Sequence, residues 1–587
     1  MNQQDLINKL QELENLTPDE RAYLLDLVNT KKKYGLVWEE KPEDAEEQLR
    51  ESLPVLTEVK EKAIVNGEKH PNHILIEGDN LPALTTLTFT HEGKIDVIYI
   101  DPPYNTGNKD FKYNDSFVDK EDSFRHSKWI SFMHKRLNIA KRLLSDTGVI
   151  FISIDDNEQA QLKMLCDEVF GENNFIGAPV RRRRGSQANL SKNIAIIHEY
   201  VFIYRKSAQA ELNNIKPKIN TASYKNPDND PRGPYVTMPC TNQGGAKYAV
   251  QTPTGKLITD EWRFKEETYY KLLNNNKLVF PKNGAGKPRY KLFLSEKEEN
   301  GVIDNSWWES IATNQEATIE LKEVFSGQAN FNNPKPIGLI NHILNLSTSN
   351  KRNYYILDFF AGSGTTLHAT MQLNAEDGGN RQCILVTNNE NNICEEVTYE
   401  RNKRVIKGYS NAKGQQVQGL INNNLRYYQC AYAPRETSLK NKRVLTRMAT
   451  ELLCIKEDCY TDCTNAIMGA TQNWLSLFTN GKEQYFCTIY DDSYIEEGVT
   501  VLQQLILTKK SKKPVKVYVF SNGQYPYTEE FEEVLEQIIL CALPDAIYKA
   551  YQNVLPARQQ KGAPIITEGT VAEVELSINN RLQATAL

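Results

Sequence analysis

The sequence has no apolar run long enough to cross a bilayer, and its first residues are polar and acidic rather than basic and then apolar. Neither a membrane span nor a secretory signal is therefore expected. Cysteine is scattered: of 10, only Cys454, Cys459 and Cys463 lie close together, at spacings that match no zinc pattern. Reduced thiols of a cytoplasmic protein, with no structural metal, account for them. Positive charge is short as well. With 70 Lys and Arg against 75 Asp and Glu, the net charge is −5 and the pI near 6.1. Any contact with nucleic acid must then come from a local basic patch, not from the chain as a whole. The patterns G-x-G-x-x-G and Gly-Lys-Ser/Thr are missing, no nuclease site is evident, and no segment repeats.

Against these absences two short stretches stand out. Asp96-Val97-Ile98-Tyr99-Ile100 is almost uniformly apolar, as a parallel strand covered on both faces would be, and it runs into Asp101, Pro102, Pro103 and Tyr104. Two prolines end ladder pairing and fix the backbone in one stiff shape. In an open α/β sheet, ligands bind just beyond the carboxyl ends of the strands. A rigid loop there with one acceptor, free carbonyls and an aromatic face suits a planar, amino-bearing ring; an isolated D-P-P-Y also fits an ordinary proline turn.

The second stretch is another apolar strand, Tyr354 to Asp358, followed by Phe359-Phe360-Ala361-Gly362-Ser363-Gly364-Thr365-Thr366 and an amphipathic helix. Glycines at 362 and 364 allow a tight turn and close approach of a ligand to the backbone. The helix start adds free N–H groups. The next strand ends near Glu390, where an acid would hold a ribose hydroxyl. A plain strand-to-helix connection is the alternative.

D-P-P-Y together with F-A-G-S-G-T-T resembles the signature pair of S-adenosylmethionine-dependent amino-methyltransferases of DNA. The catalytic motif precedes the cofactor motif, an order resembling the β-class circular permutation. "ILIEGDN" (74–80) resembles the segment whose aspartate, here Asp79, contacts the cofactor adenine. "FNNPKPIGLI" (331–340), with Pro334 and Lys335, resembles the segment that closes over the methionine end. The terminal regions, "TPDERAYLLDLVNTKKKYGLVWEEKPED" and "VYVFSNGQYPYTEEFEEVLEQIILCALPDAIYKAYQNVLP", resemble those of type III restriction-modification Mod subunits.

The resemblance implies a Rossmann-like α/β methyltransferase domain, S-adenosyl-L-methionine as cofactor, and transfer to N6 of an adenine flipped out of double-stranded DNA. In it Asp101 and the Pro102 carbonyl accept the two N–H groups of the amine, Pro103 stiffens the loop and Tyr104 stacks on the base. Asp79, Asp358, Phe360 to Thr366, Glu390, Pro334 and Lys335 line the cofactor. It also implies a homodimer and a separate Res helicase-nuclease subunit. N4-cytosine transfer, an RNA substrate, a stand-alone methyltransferase and a DNA-binding subunit whose chemistry has lapsed are the competing readings.

At 587 residues the chain exceeds one ordinary core. Residues 1–60 read as helices, with Thr17 as an N-cap; 61–206 and 331–410 as the two halves of the catalytic domain. Residues 207–330, rich in Asn, Gly, Trp and Tyr, read as an inserted target-recognition domain of short strands and loops. Residues 411–587 read as an α+β domain for dimerisation or a partner, with "PVKVYVF" a strand and "EEFEEVLEQIILCAL" an amphipathic helix. Arg181, Arg182, Arg183 and Arg184 form the sharpest basic run and fit either a loop along a DNA backbone or a solvated loop.

Overall fold

A computed structural model describes residues 38–557 apart from 187–192, 216–220, 329–330, 350–351, 470–471, 482 and 509–512. The helix expected after Thr17 lies outside these residues.

One large sheet organises the chain. Its strands are β1 (Ser52–Glu58), β2 (Asn72–Glu77), β3 (Ile95–Ile100), β4 (Leu144–Ile154), β5 (Phe175–Gly177), β6 (Val180–Arg182), β7 (His198–Arg205), β8 (Trp307–Trp308), β9 (Asn353–Asp358), β10 (Asn380–Thr387) and β11 (Asn424–Pro434). Their order is β1-β11-β2-β10-β9-β3-β4-β7-β6-β8, with β5 also on β7. From β11 to β4 every pairing is parallel. Antiparallel strands flank that centre, β1 on β11 and β7 on β4.

Parallel strands are covered on both faces, and β3 shows how sequence meets that demand. All six of its residues are buried. Ile98 and Ile100 enter one core with the helices Asn80–His91, Arg125–Leu143 and Gln159–Phe170, while Val97 and Tyr99 enter the other with Ile337–Ser347 and Thr365–Asp377. Alternation along one strand thus feeds two layers.

The domain limits differ from expectation in three places. Ser52–Glu58 is not helical: its run Leu53 to Leu56 is fully covered as β1. β11, expected in the C-terminal domain, belongs to the large sheet between β1 and β2. In the insertion, Tyr235–Pro239, Leu278–Val279 and Arg289–Phe293 form one small sheet and Thr241–Gln251 with Leu257–Trp262 a hairpin around Trp262 and Tyr269, whereas β8 returns to the edge of the large sheet.

Beyond β11 a five-stranded sheet has its own core. There "EEFEEVLEQIILCAL" is not one helix. A short 3₁₀ turn, Glu532–Gln537, gives way to a strand, Ile538–Leu543, parallel to Val515–Phe520. The open edge of that neighbour supplies hydrogen bonds, and the apolar run Ile-Ile-Leu-Cys-Ala-Leu fits it better than a helix carrying its polar face no further.

Candidate active site

β3 and β9 lie side by side at the centre; β3 continues to β4 on one flank and β9 to β10 on the other. The loops leaving their carboxyl ends therefore diverge and open a crevice between them. D-P-P-Y leaves β3 and the glycine turn leaves β9.

Three contacts fix the D-P-P-Y loop. Trp129, fully buried, donates from Nε1 to the Pro103 carbonyl at 2.7 Å. Asn105, with φ 55°, donates from Nδ2 to the Arg125 carbonyl at 3.1 Å and to Glu158 Oε1 at 2.5 Å. Glu158 is itself fully buried, and burial pushes its carboxyl up to about 8.

Asp101 lies at the end of a chain of alternating charge. Lys335 Nζ donates to Asp101 Oδ2 at 2.6 Å and to the Tyr104 hydroxyl at 3.1 Å. That hydroxyl donates to Glu199 Oε2 at 3.2 Å. Arg181 grips the other oxygen of Glu199 from Nη2 and Nε, at 2.8 and 3.0 Å. Burial raises the Asp101 carboxyl, which the Lys335 ammonium opposes and Glu199 reinforces. Burial also raises Glu199, but Lys335 and Arg181 prevail and hold it below the ordinary carboxylate range. Tyr104 is pushed well up by burial and by Asp101, so it stays a phenol. Asp101 Oδ1 is buried and has no hydrogen-bond partner.

The glycine turn is built from below. Asp358 accepts from the Phe360 N–H at 3.0 Å and the Thr366 hydroxyl at 2.5 Å, closing the turn on itself; burial pushes its carboxyl up to about 7. Gly362 has φ 48°, and a Cβ there would lie 3.1 Å from the Phe331 ring. Gly364 has φ 72°, over Asn402 and Thr398. Arg401, fully buried, donates to Ser363 Oγ at 3.1 Å and Thr365 Oγ1 at 2.7 Å. Thr365 in turn donates to the Lys335 carbonyl at 3.0 Å.

A cleft of about 470 Å³ opens at the start of this turn, lined by Phe359 and Phe360 together with Gly78, Asp79, Glu390 and Pro103. Gly78 is part of its wall, and a Cβ there would lie 2.7 Å from Cys430 Sγ. Asp79 caps the helix Asn80–His91 through the Leu81 N–H at 2.7 Å, and Glu390 pairs with Lys112 at 2.7 Å. Both carboxylates keep over 40% of their side-chain surface, leaving two acceptors in the lining of the cleft. A glycine-backed slot with a ring and two acceptors suits an adenosine carrying an amino-acid tail.

A family model described as DNA methylase matches residues 95–407, just over half of the chain, from β3 to beyond β10. The chain belongs to the DNA methylase family. It is 36% identical over 365 residues to the type III restriction-modification enzyme StyLTI Mod subunit of Salmonella typhimurium, covering 57% of this chain and 55% of that one. It is 35% identical over 356 residues to the type II methyltransferase M.KpnI of Klebsiella pneumoniae, covering 56% and 84%. Against the EcoPI Mod subunit of Escherichia phage P1, identity is 30% over 434 residues, covering 62% and 64%. The chain thus spans little more than half to two thirds of the Mod subunits it matches.

In this member of the family the expected residues fall into two groups around one crevice. Asp101 to Tyr104 lie on its β3 side and the glycine turn on its β9 side; of the expected cofactor residues Phe360, Asp79 and Glu390 line the cleft, while Ala361 to Thr366 stand outside its lining. Pro334 is buried, after Asn333 at φ 54°. Lys335 departs from its expected group: its backbone joins the glycine turn, but its amine joins Asp101. The basic run departs further. Arg181 sits inside β6, fully buried on Glu199, and cannot touch a DNA backbone; alternation then turns Arg182 outward. Arg183 reaches Asp155 at 3.5 Å and Arg184 is exposed. Sequence reading missed Trp129, Glu158, Glu199 and Arg401. A carboxylate inside the apolar run His198–Arg205 was the available signal for Glu199. Among the described residues no group of His, Cys, Asp and Glu could hold a metal, and no helix is long and apolar enough to cross a membrane.

Proposed function

We propose that this chain transfers a methyl group from S-adenosyl-L-methionine to N6 of an adenine flipped from double-stranded DNA at a specific sequence, as the modification subunit of a type III restriction system. The observation that carries this is Asp101 Oδ1: a buried carboxylate oxygen without a partner, on a stiff loop beside the cofactor-shaped cleft. An exocyclic amine is a poor nucleophile because its lone pair is delocalised into the ring. Asp101 and the Pro102 carbonyl accept its two N–H groups, favour pyramidal nitrogen and aim it at the cleft. Tyr104 stacks on the base, worth roughly 1–3 kcal/mol, against the few kcal/mol needed to extrude it. Glu390 takes the ribose hydroxyls, Asp79 the adenine edge, and the glycine turn the amino-acid end. The cofactor supplies the electrophilic methyl group.

The type III reading draws on likeness to two Mod subunits, and brings with it a homodimer, a Res partner and a cytoplasmic setting. The match to M.KpnI, which covers 84% of that enzyme, favours a second reading, a methyltransferase that acts alone. Methylation of a diverse DNA library, read by modification-sensitive sequencing with Asp101→Ala alongside, separates them. Adenine-N6 marks on one strand of a short asymmetric site, absent in the variant, are expected. Marks on both strands of a palindrome favour the stand-alone enzyme, and none at all refutes the methyl-transfer reading.

A further inference from the structure

Lys335 lies on the segment expected to close over the cofactor, yet its two ends serve different motifs. Its carbonyl accepts from Thr365 of the glycine turn at 3.0 Å, while its ammonium, 8% exposed, bonds Asp101 Oδ2 at 2.6 Å and the Tyr104 hydroxyl at 3.1 Å. Given the methyl-transfer reading above, we propose that Lys335 is a positioning residue for the transfer step: its ammonium occupies Asp101 Oδ2, favours the charged form of that carboxyl, and so reserves Oδ1 for one N–H of the target amine.

Asp101 faces Lys335, Glu199 and Tyr104, with Tyr99 on its own strand and Asp358 from β9. Behind Glu199 stand Arg181 and Arg183. At the centre are two cations, Lys335 and Arg181, and two carboxylates, Asp101 and Glu199. Glu199 is fully covered, holds Arg181 by two bonds, and is 3.9 Å from Lys335. Arg181 therefore serves Glu199, and Lys335 is the cation that touches Asp101. Without it burial and the like charge of Glu199, both of which favour the acid form of Asp101, would be opposed by the Tyr104 hydroxyl alone. The proton so acquired would settle on Asp101 rather than on Glu199, which keeps its arginine. A neutral acid presents a weaker acceptor and an O–H donor to an amine that needs acceptors.

Lys335 also couples the motifs. The Thr365 hydroxyl holds its backbone and Asp101 holds its side chain, so a shift in the glycine turn is carried to the carboxylate within one residue.

The test compares Lys335→Met and Lys335→Arg with the wild type. In Lys335→Met the acid limb of the kcat profile is expected to move up by about one to three pH units, the range for a carboxylate that loses an adjacent opposite charge; Lys335→Arg is expected to leave it in place. The same shift is expected without turnover, in the pH dependence of the carboxyl infrared band that disappears in Asp101→Asn. An unmoved limb together with an unmoved band in Lys335→Met overturns the proposal even if the rate falls, because a lysine needed only for packing lowers kcat without moving either. If the wild type methylates no DNA, the methyl-transfer reading fails instead, and the infrared titration still decides the lysine's role.

Discussion

Replacement of Glu158 by glutamine isolates a single proton beneath the D-P-P-Y loop. Glu158 is fully buried, accepts from Asn105 Nδ2 at 2.5 Å, lies 2.7 Å from His126 Nδ1, and keeps Oε2 without a partner. Burial lifts its carboxyl from 4.5 to about 8. A raised carboxyl makes the native state bind the proton more tightly than the unfolded chain does, so stability falls as pH rises from 4.5 through 8. At about 1.4 kcal/mol per unit, this one group contributes about 5 kcal/mol of destabilisation above pH 8, of which about 2 kcal/mol develops between about pH 6.5 and 8.5. His126 acts in the opposite sense and does not mask it, since burial and Arg125 hold that imidazole below its ordinary value, so its contribution to stability rises with pH. Glutamine keeps the acceptor for Asn105 and cannot ionise. Melting temperatures taken every half unit across that range are expected to fall further for the wild type than for Glu158→Gln, in which Asp358 still titrates, the two curves diverging with rising pH. Parallel curves would refute the assignment of a buried proton to Glu158.

Trp129→Phe is expected to leave the Pro103 carbonyl without its donor, at about 1–3 kcal/mol for a buried unpaired group. Melting temperature should fall, and kcat for methylation should fall more than the KM for S-adenosylmethionine rises, because the loop held is that of Asp101. Gly364→Ala is expected to impose about 1–2 kcal/mol of left-handed strain and to push Asn402 away. Calorimetric titration with S-adenosylmethionine is expected to show weakened binding, and unchanged affinity would argue that the turn does not form the cofactor floor.

Much of the frame was legible because strands buried on both faces write themselves as short apolar runs. Asp96–Ile100 and Tyr354–Asp358 read as β3 and β9, and their adjacency explains why motifs so distant in sequence form one crevice. The glycine turn was equally plain, since only glycine takes φ near 50–70° without strain. What stayed hidden depends on contacts across the sheet. Four arginines in a row look solvated, and nothing local says that strand alternation turns Arg181 inward onto Glu199. Lys335 could be placed by its segment, but its partner is 234 residues away. Ile538–Leu543 shows the opposite failure: its helical pattern was real, and an unfilled sheet edge overrode it.

The parallel pairing of β3 with β9 also has a meaning in time. β3 leaves the ribosome with β4 soon behind it, but its other neighbour is encoded after the whole insertion. At about 5–20 residues per second, the roughly 250 residues between them take about 13–50 s to synthesise. β2 waits longer, since both of its neighbours, β10 and β11, come later still. Through that interval the nascent chain carries apolar strands with unpaired edges, the surface most prone to join another chain. The topology that brings the D-P-P-Y loop and the glycine turn together in the finished protein thus leaves strand edges unpaired until β11, which ends at Pro434, has emerged.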